Sequence, residues 1–249
     1  LCIKSGNAAI LKGGKEAGRT NRQLFDYILK ALSDTDPVFD GALHLVETRE
    51  DVKELLALDE FIDLMVPRGS SELVRFIKDN TKIPVLGHTD GVCHIYVDRE
   101  ADIDMALEVS YDAKCQYPAV CNAVESLLVH AGIAEDFLPR LAKRLEEVEL
   151  RGDERARKYI QAKPAVPEDW LSEYNDLILS VKIVDSLEDA IDHINTFGSH
   201  HTDAVITTNE ETAAVFLQLV DSSSVLRNCS TRFADGFRYG LGAELGIST

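Results

Sequence analysis

Cys121 stands in the stretch Lys114-Cys115-Gln116-Tyr117-Pro118-Ala119-Val120-Cys121-Asn122-Ala123-Val124-Glu125, after a proline that stops a helix and before an apolar run over 126–130. A helix-to-loop corner of this kind presents a thiol to a ligand instead of burying it. Thiolates are strong nucleophiles, so Cys121 is the first candidate for covalent chemistry. Cys115 lies close by and leaves two readings open: a small residue near the active loop, or a Cys115–Cys121 disulfide that switches the site off. Cys2, Cys93 and Cys229 read as packing residues. Five scattered cysteines do not describe a secreted disulfide framework, which points to a reducing, cytosol-like compartment. Neither a CxxC pair nor a Cys/His group at zinc spacing occurs, so no metal site is expected. The adjacent His200-His201 pair reads as a turn or a polar pocket wall.

Two turns earlier in the chain suit phosphate. Leu11-Lys12-Gly13-Gly14-Lys15-Glu16-Ala17 is a strand end, two glycines and a helix start. Glycines allow close backbone approach, a helix N-terminus attracts anions, and the lysines add charge. Arg68-Gly69-Ser70-Ser71 is a second strand-to-helix turn. Each alone is an ordinary capped connection. Two on neighbouring βα units point to a nucleotide site at the C-terminal strand edge.

The elements that must carry these residues alternate. Strands are expected over 7–12, 43–47, 62–66, 83–86, 92–97, 127–130, 148–151, 177–184, 204–207 and 225–228. Helices are expected over 16–33, 72–78, 103–114, 134–147 and 190–197, with another ending near Val220. Thr48-Arg49-Glu50-Asp51 reads as a capping box opening a further helix. Short apolar strands alternating with helices argue a mainly parallel α/β sheet covered on both faces. The polar stretch 151–169, with Pro164 and Pro167, reads as an exposed excursion or flap.

The 249 residues suffice for one large α/β unit or two modest domains, and 45% hydrophobic residues suffice for a full core. A net charge of −17 argues against a general nucleic-acid or anionic-membrane surface. No stretch has the length of a membrane span. The chain starts neither with Met nor with a signal peptide, and is expected to be an excised piece.

Six motifs together resemble the γ-glutamyl phosphate reductases, members of the aldehyde dehydrogenase superfamily. They are LKGGKEA (11–17), VPRGSS (66–71), VCHIYVD (92–98), YPAVCNAVE (117–125), HHTDAV (200–205) and STRFADGFRYGLGAELGIST (230–249). The resemblance runs over nearly the whole chain, and includes reductases fused behind a kinase in Δ1-pyrroline-5-carboxylate synthase. It implies an aldehyde dehydrogenase-like α/β fold with a parallel-sheet cofactor-binding domain, truncated at its N-terminus, and an α/β catalytic domain. The expected boundaries are 1–87 for the cofactor half, 88–224 for the catalytic domain, and 225–249 for a segment returning to the cofactor half. More than a hundred residues before Leu1 and a stretch after Thr249, part of an oligomerisation arm, would be missing, which leaves an inactive fragment as one outcome.

The implied reaction is NADPH-dependent reduction of L-glutamyl 5-phosphate to L-glutamate 5-semialdehyde with release of phosphate, in cytoplasmic proline biosynthesis. Cys121 is the implied nucleophile, and its pKa should be depressed or its developing charge stabilised. Asn122 orients the site or acts as a structural cap. Lys12 matches the adenosine-ribose lysine, with Gly14 beside it, and Lys15 is the candidate for a 2′-phosphate contact. Gly69 and Ser70 match the pyrophosphate turn. Glu173 matches the glutamate on the nicotinamide ribose, its alternative being a surface charge. Arg232 and Arg238 are candidates for the substrate's carboxylate or phosphate, or for salt bridges in an acidic chain. Val85-Leu86-Gly87-His88 stands where hydrolytic relatives carry a glutamate base, and Val85 cannot act as one. The implied partners are glutamate 5-kinase, separate or fused, and further copies of the chain. The rivals are a CoA-acylating aldehyde dehydrogenase and a non-enzymatic interaction module.

Overall fold

Alternating short apolar runs and capped helices build two compact units. The computed structural model describes residues 2–242 and 244–249, with Ser71 by its backbone alone. Leu1 and Ala243, the first and last-motif positions of the expected segments, lie outside the described residues.

The first unit comprises the residues up to Pro67 together with Arg75–Leu86. β1 (Ala9–Lys12), α1 (Gly18–Thr35), β2 (Leu43–Val46) and α2 (Arg49–Leu55) follow one another, and α3 (Ser71–Asp79) ends in this unit. β1 and β2 pair in parallel, with α1 as the crossover. The capping box at α2 is present: Thr48 Oγ1 accepts the Asp51 N–H at 3.0 Å, and the Asp51 carboxylate accepts the Thr48 N–H at 2.9 Å. The strands expected over 62–66 and 83–86 are only a single parallel bridge, Met65 with Val85. Pro84 has no N–H to give to a ladder and Pro67 ends the other run, so the pairing cannot extend.

The second unit holds Arg68–Val74 and Gly87 onward. Its elements are β3 (Cys93–Val97), α4 (Ile103–Cys115), β4 (Val124–His130), α5 (Ala134–Arg144), β5 (Glu149–Gly152), β6 (Lys163–Pro164), β7 (Ile178–Val184), α6 (Leu187–Phe197), β8 (Thr202–Ile206), α7 (Glu210–Leu219) and β9 (Ser224–Arg227). The strands form one sheet in the order β6-β5-β7-β4-β3-β8-β9, every pair parallel. β3 and β8 are buried along their whole length, as parallel strands covered on both faces must be. Side chains alternate between the faces. Ile95, Val97, Leu127 and Val129 pack with Phe137, Leu138 and Leu141 of α5. Tyr96, Leu128 and Val205 pack with Ile191 and Ile194 of α6 and Phe216 of α7.

One expectation is corrected here. The stretch 151–169 is tied down: β6 pairs with β5, and buried Asp169 accepts from Arg151 Nη1 at 2.6 Å and the Tyr174 hydroxyl at 2.8 Å. The segment 225–249 belongs to the second unit, where β9 pairs with β8. The units divide between Leu86 and Gly87, and Arg68–Val74 also belongs to the second.

Candidate active site

Four central neighbours of the sheet, β7, β4, β3 and β8, run parallel, so their amino ends share one edge. Glu173 precedes β7, Cys121 and Asn122 precede β4, Gly91 precedes β3, and His201 precedes β8. The usual rule for open α/β sheets places ligands at carboxyl ends. Here the chemistry-bearing residues of this sheet gather at the opposite edge.

The loop carrying Cys121 is held by its backbone. A Cβ on Gly91 would stand 2.2 Å from the Cys121 carbonyl oxygen and 2.7 Å from its Cα, so only glycine fits there. The buried Cys93 thiol donates to that carbonyl oxygen at 3.3 Å. Asn122 is buried, and both ends of its amide are used. Its nitrogen donates to the Ala234 carbonyl at 2.9 Å, and its oxygen accepts from Arg232 Nη1. Arg232 Nε and Arg238 Nη2 both donate to the single Gln116 side-chain oxygen, at 3.2 and 3.3 Å. Two guanidiniums are thereby held side by side. Each has further donors to offer an anion.

The Cys121 sulfur is half-buried. Burial and the Glu173 carboxylate push its pKa above the ordinary thiol value, while the Arg68 and Arg232 guanidiniums pull the other way. The expectation of a depressed pKa is therefore corrected: desolvation outweighs the two cations. The other half of that expectation fits these cations, which favour negative charge on the sulfur. Arg68 lies against Gly246, where a Cβ would meet its Nη1 at 2.9 Å. His88 Nδ1 lies 2.9 Å from the Ile247 carbonyl oxygen, to which it donates. His200 takes a φ of 59°, as the turn reading expects, and His201 is fully buried, its ring edge-on to His88 with centroids 4.7 Å apart. Burial and the nearby His88 lower the His201 pKa to about 4, so its imidazole is neutral at pH 7.

Behind the loop, Lys114 and Glu125 form a fully buried pair with Nζ to Oε2 at 2.6 Å. Burial outweighs the pairing on both groups, raising Glu125 to about 7 and lowering Lys114. The pair joins α4 to β4 across the base of the Cys121 loop.

Gly69 takes a φ of 150°, a conformation that L side chains rarely adopt, and Ser70 Oγ accepts the Leu73 N–H at 3.3 Å to cap α3. Both lie in the second unit. Lys12, Gly14 and Lys15 lie exposed in the first unit, with Lys12 closing β1 and Lys15 opening a short turn of 3₁₀-helix. Val85 is also in the first unit. All five cysteines, Cys115 among them, are free. Cys115 packs against the main core.

The aldehyde dehydrogenase family model matches residues 1–169 of this geometry's carrier. The chain belongs to the aldehyde dehydrogenase family. Within that family it is 59% identical over 257 aligned positions to the gamma-glutamyl phosphate reductase of Methanococcoides burtonii, covering 100% of this chain and 57% of that one. It is 57% identical to gamma-glutamyl phosphate reductase 1 of Synechocystis, again over 100% of this chain and 58% of the relative. The crystal structure of the Thermotoga maritima gamma-glutamyl phosphate reductase superposes with a TM-score of 0.96 at 40% identity, over 100% of this chain and 61% of that one. The chain thus spans little more than half the length of the curated relatives it matches.

The structure also brings to this edge residues that the sequence did not single out for the site. Gln116 aligns the two arginines. Arg68 acts on the Cys121 thiol, and Gly91 admits its backbone. Arg68 had a local signal, lying beside Gly69 in the same turn. Gly91 and Gln116 had none, because their partners are distant in sequence.

Proposed function

We propose that the protein carrying this chain reduces L-glutamyl 5-phosphate to L-glutamate 5-semialdehyde with NADPH, releasing phosphate, as a step of proline biosynthesis. The observation that carries this is the half-buried Cys121 flanked by Glu173, Arg68 and Arg232, in a chain sharing 59% of positions with a relative named for that activity.

The cofactor residues fit a dinucleotide on two structural grounds. Gly69 takes a conformation that L side chains rarely adopt, at the turn that opens α3, and the field of Glu173 reaches the Cys121 sulfur. In the second unit, Gly69, Ser70 and Glu173 are the residues that would hold NADP(H). NADPH held there would supply the hydride for reduction of a Cys121 thioester.

The residues of the chain do the rest. Cys121 Sγ, as thiolate, attacks the acyl carbon and the carbon–phosphate oxygen bond breaks; the electron pair leaves with phosphate. Phosphate departs readily, so no strong acid is required. Arg68 and Arg232 lower the cost of negative charge on the sulfur before attack and after collapse of the thiohemiacetal. Arg232 and Arg238 take the carboxylate or phosphate of the substrate, which replaces the Gln116 oxygen between them. Asn122 is a positioning residue: it fixes the loop to Ala234 and Arg232. Val85 in place of a glutamate leaves the thioester without that hydrolytic base, as phosphate exchange requires.

The test is phosphate-dependent reduction of NADP+ by glutamate semialdehyde, in the chain completed with the segments its relatives carry beyond the match. Cys121→Ala is expected to lose about a thousandfold or more in turnover, the scale for removing a covalent nucleophile. Residual activity within about tenfold of the parent, or turnover that needs CoA in place of phosphate, would sink the proposal.

A further inference from the structure

One group of side chains at the strand edge has more to offer than nucleophilic attack. A ligand atom of His88, one of Cys121 and one of His201 all lie within 4.8 Å of one another. The three come from positions far apart in sequence, so no spacing motif announces them. His88 donates Nδ1–H to the Ile247 carbonyl, which fixes the tautomer and points to Nε2 as its lone pair. A backbone carbonyl on the far nitrogen is the usual support for a metal-binding imidazole. His201 is fully buried. Its Nδ1 lies 3.0 Å from Thr202 Oγ1, and its Nε2 has no hydrogen-bond partner among the described residues. A buried imidazole nitrogen with nothing to bond costs free energy that a cation would recover.

We propose that Cys121, His88 and His201 form a three-ligand site for Zn2+, and that the bound ion caps the Cys121 sulfur. One thiolate and two neutral imidazoles are the donors of a borderline-soft divalent cation, and the absence of a carboxylate in the trio disfavours Mg2+ and Ca2+. Tetrahedral Zn2+ ligands stand about 3.3–3.8 Å apart, so the set closes by about 1 Å on binding. A fourth position stays open for water. On binding, the S–H bond breaks as Zn–S forms, and the proton leaves to solvent. The net charge of −17 concentrates divalent cations at the surface. Binding stands on geometry alone; its consequence, reversible inhibition, rests on the proposed role of Cys121 as nucleophile.

The experiment titrates the chain with Zn2+ against a chromophoric chelator and, separately, with Co2+ as a spectroscopic probe. One equivalent is expected to bind, with a thiolate-to-cobalt charge-transfer band and loss of alkylation of Cys121. Cys121→Ser should abolish the band, and the half-exposed His88→Ala should weaken binding by about tenfold to a hundredfold or more, the scale for losing support at a metal site. Far-UV circular dichroism confirms that each variant is folded, and Cys115→Ser should bind as the parent does. Absent stoichiometric binding, or binding and band unchanged in both Cys121→Ser and folded His88→Ala, overturns the site. Binding is read without turnover. An ion that binds as described yet leaves turnover of the completed protein intact overturns the nucleophile and the inhibition instead.

Discussion

At the scale of single residues, the Cys121 sulfur sits in opposed fields. Burial and Glu173 hold it protonated, while Arg68 and Arg232 favour the thiolate. Its alkylation rate should therefore rise with pH and titrate above the ordinary thiol value. Removing the negative charge of Glu173 lowers that value, so Glu173→Gln should alkylate faster than the parent between pH 7 and 8. Stopped reactions with a thiol reagent, followed by mass spectrometry at Cys121, read this directly. An unchanged profile would mean that Glu173 does not act on the sulfur. Arg232→Gln should have the opposite effect, slowing alkylation at the same pH.

At the scale of elements, the Cys121 loop is fixed by two segments that clamp it. Gly91, just before β3, lets the strand start lie on the Cys121 backbone. Gly91→Ala forces backbone apart, an overpacking cost of about 1–3 kcal/mol. It should lower both the urea midpoint and the turnover. From the other side, Asn122 ties the loop to Ala234 and Arg232 of the terminal segment. Asn122→Ala leaves a buried carbonyl unpaired and should destabilise by about 1–3 kcal/mol. Because Asn122 positions the loop, its loss should also slow alkylation of Cys121 in molecules that remain folded. Normal alkylation in folded Asn122→Ala would reduce its role to stability alone.

At the scale of the whole molecule, the second unit carries buried histidines that set its response to acid. His193, on α6, is buried with Nδ1 accepting from Lys182 Nζ at 3.0 Å, and it faces His94, Trp170 and Phe197. Burial, with His94 and Lys182 nearby, lowers its pKa to about 3. The unfolded chain takes up that proton near pH 6.5, so the unfolded state binds more protons below this pH. The contribution is present above about pH 6.5 and is lost as pH falls towards 3, to an extent on the order of a few kcal/mol. Glu125, raised to about 7, works the other way: its contribution is present in acid and lost as pH rises through that value. Comparing the parent with His193→Gln isolates the histidine. The parent should lose more stability between pH 7 and 4 in urea titrations; equal losses would remove His193 from the acid response. Among the described residues, no helix is long and apolar enough to cross a membrane.

What the sequence determined by itself is the local chemistry and the local geometry. Alternating apolar runs gave the parallel α/β class, Thr48-Arg49-Glu50-Asp51 gave its helix cap, and Cys121 beside Asn122 gave the candidate nucleophile, because caps, periodicity and motifs act within a few residues. Tertiary structure alone decided where distant residues meet. Pro84 left the strands over 62–66 and 83–86 as one bridge, and β9 joined the second unit through its ladder to β8. Gly91 under Cys121 and His88 against His201 arise from parallel strands whose amino ends share an edge, and Gln116 meets its two arginines across separations of 116 and 122 residues. Burial, which raises the Cys121 pKa against its cations, is likewise a property of the packed chain, since desolvation depends on every neighbour that excludes water.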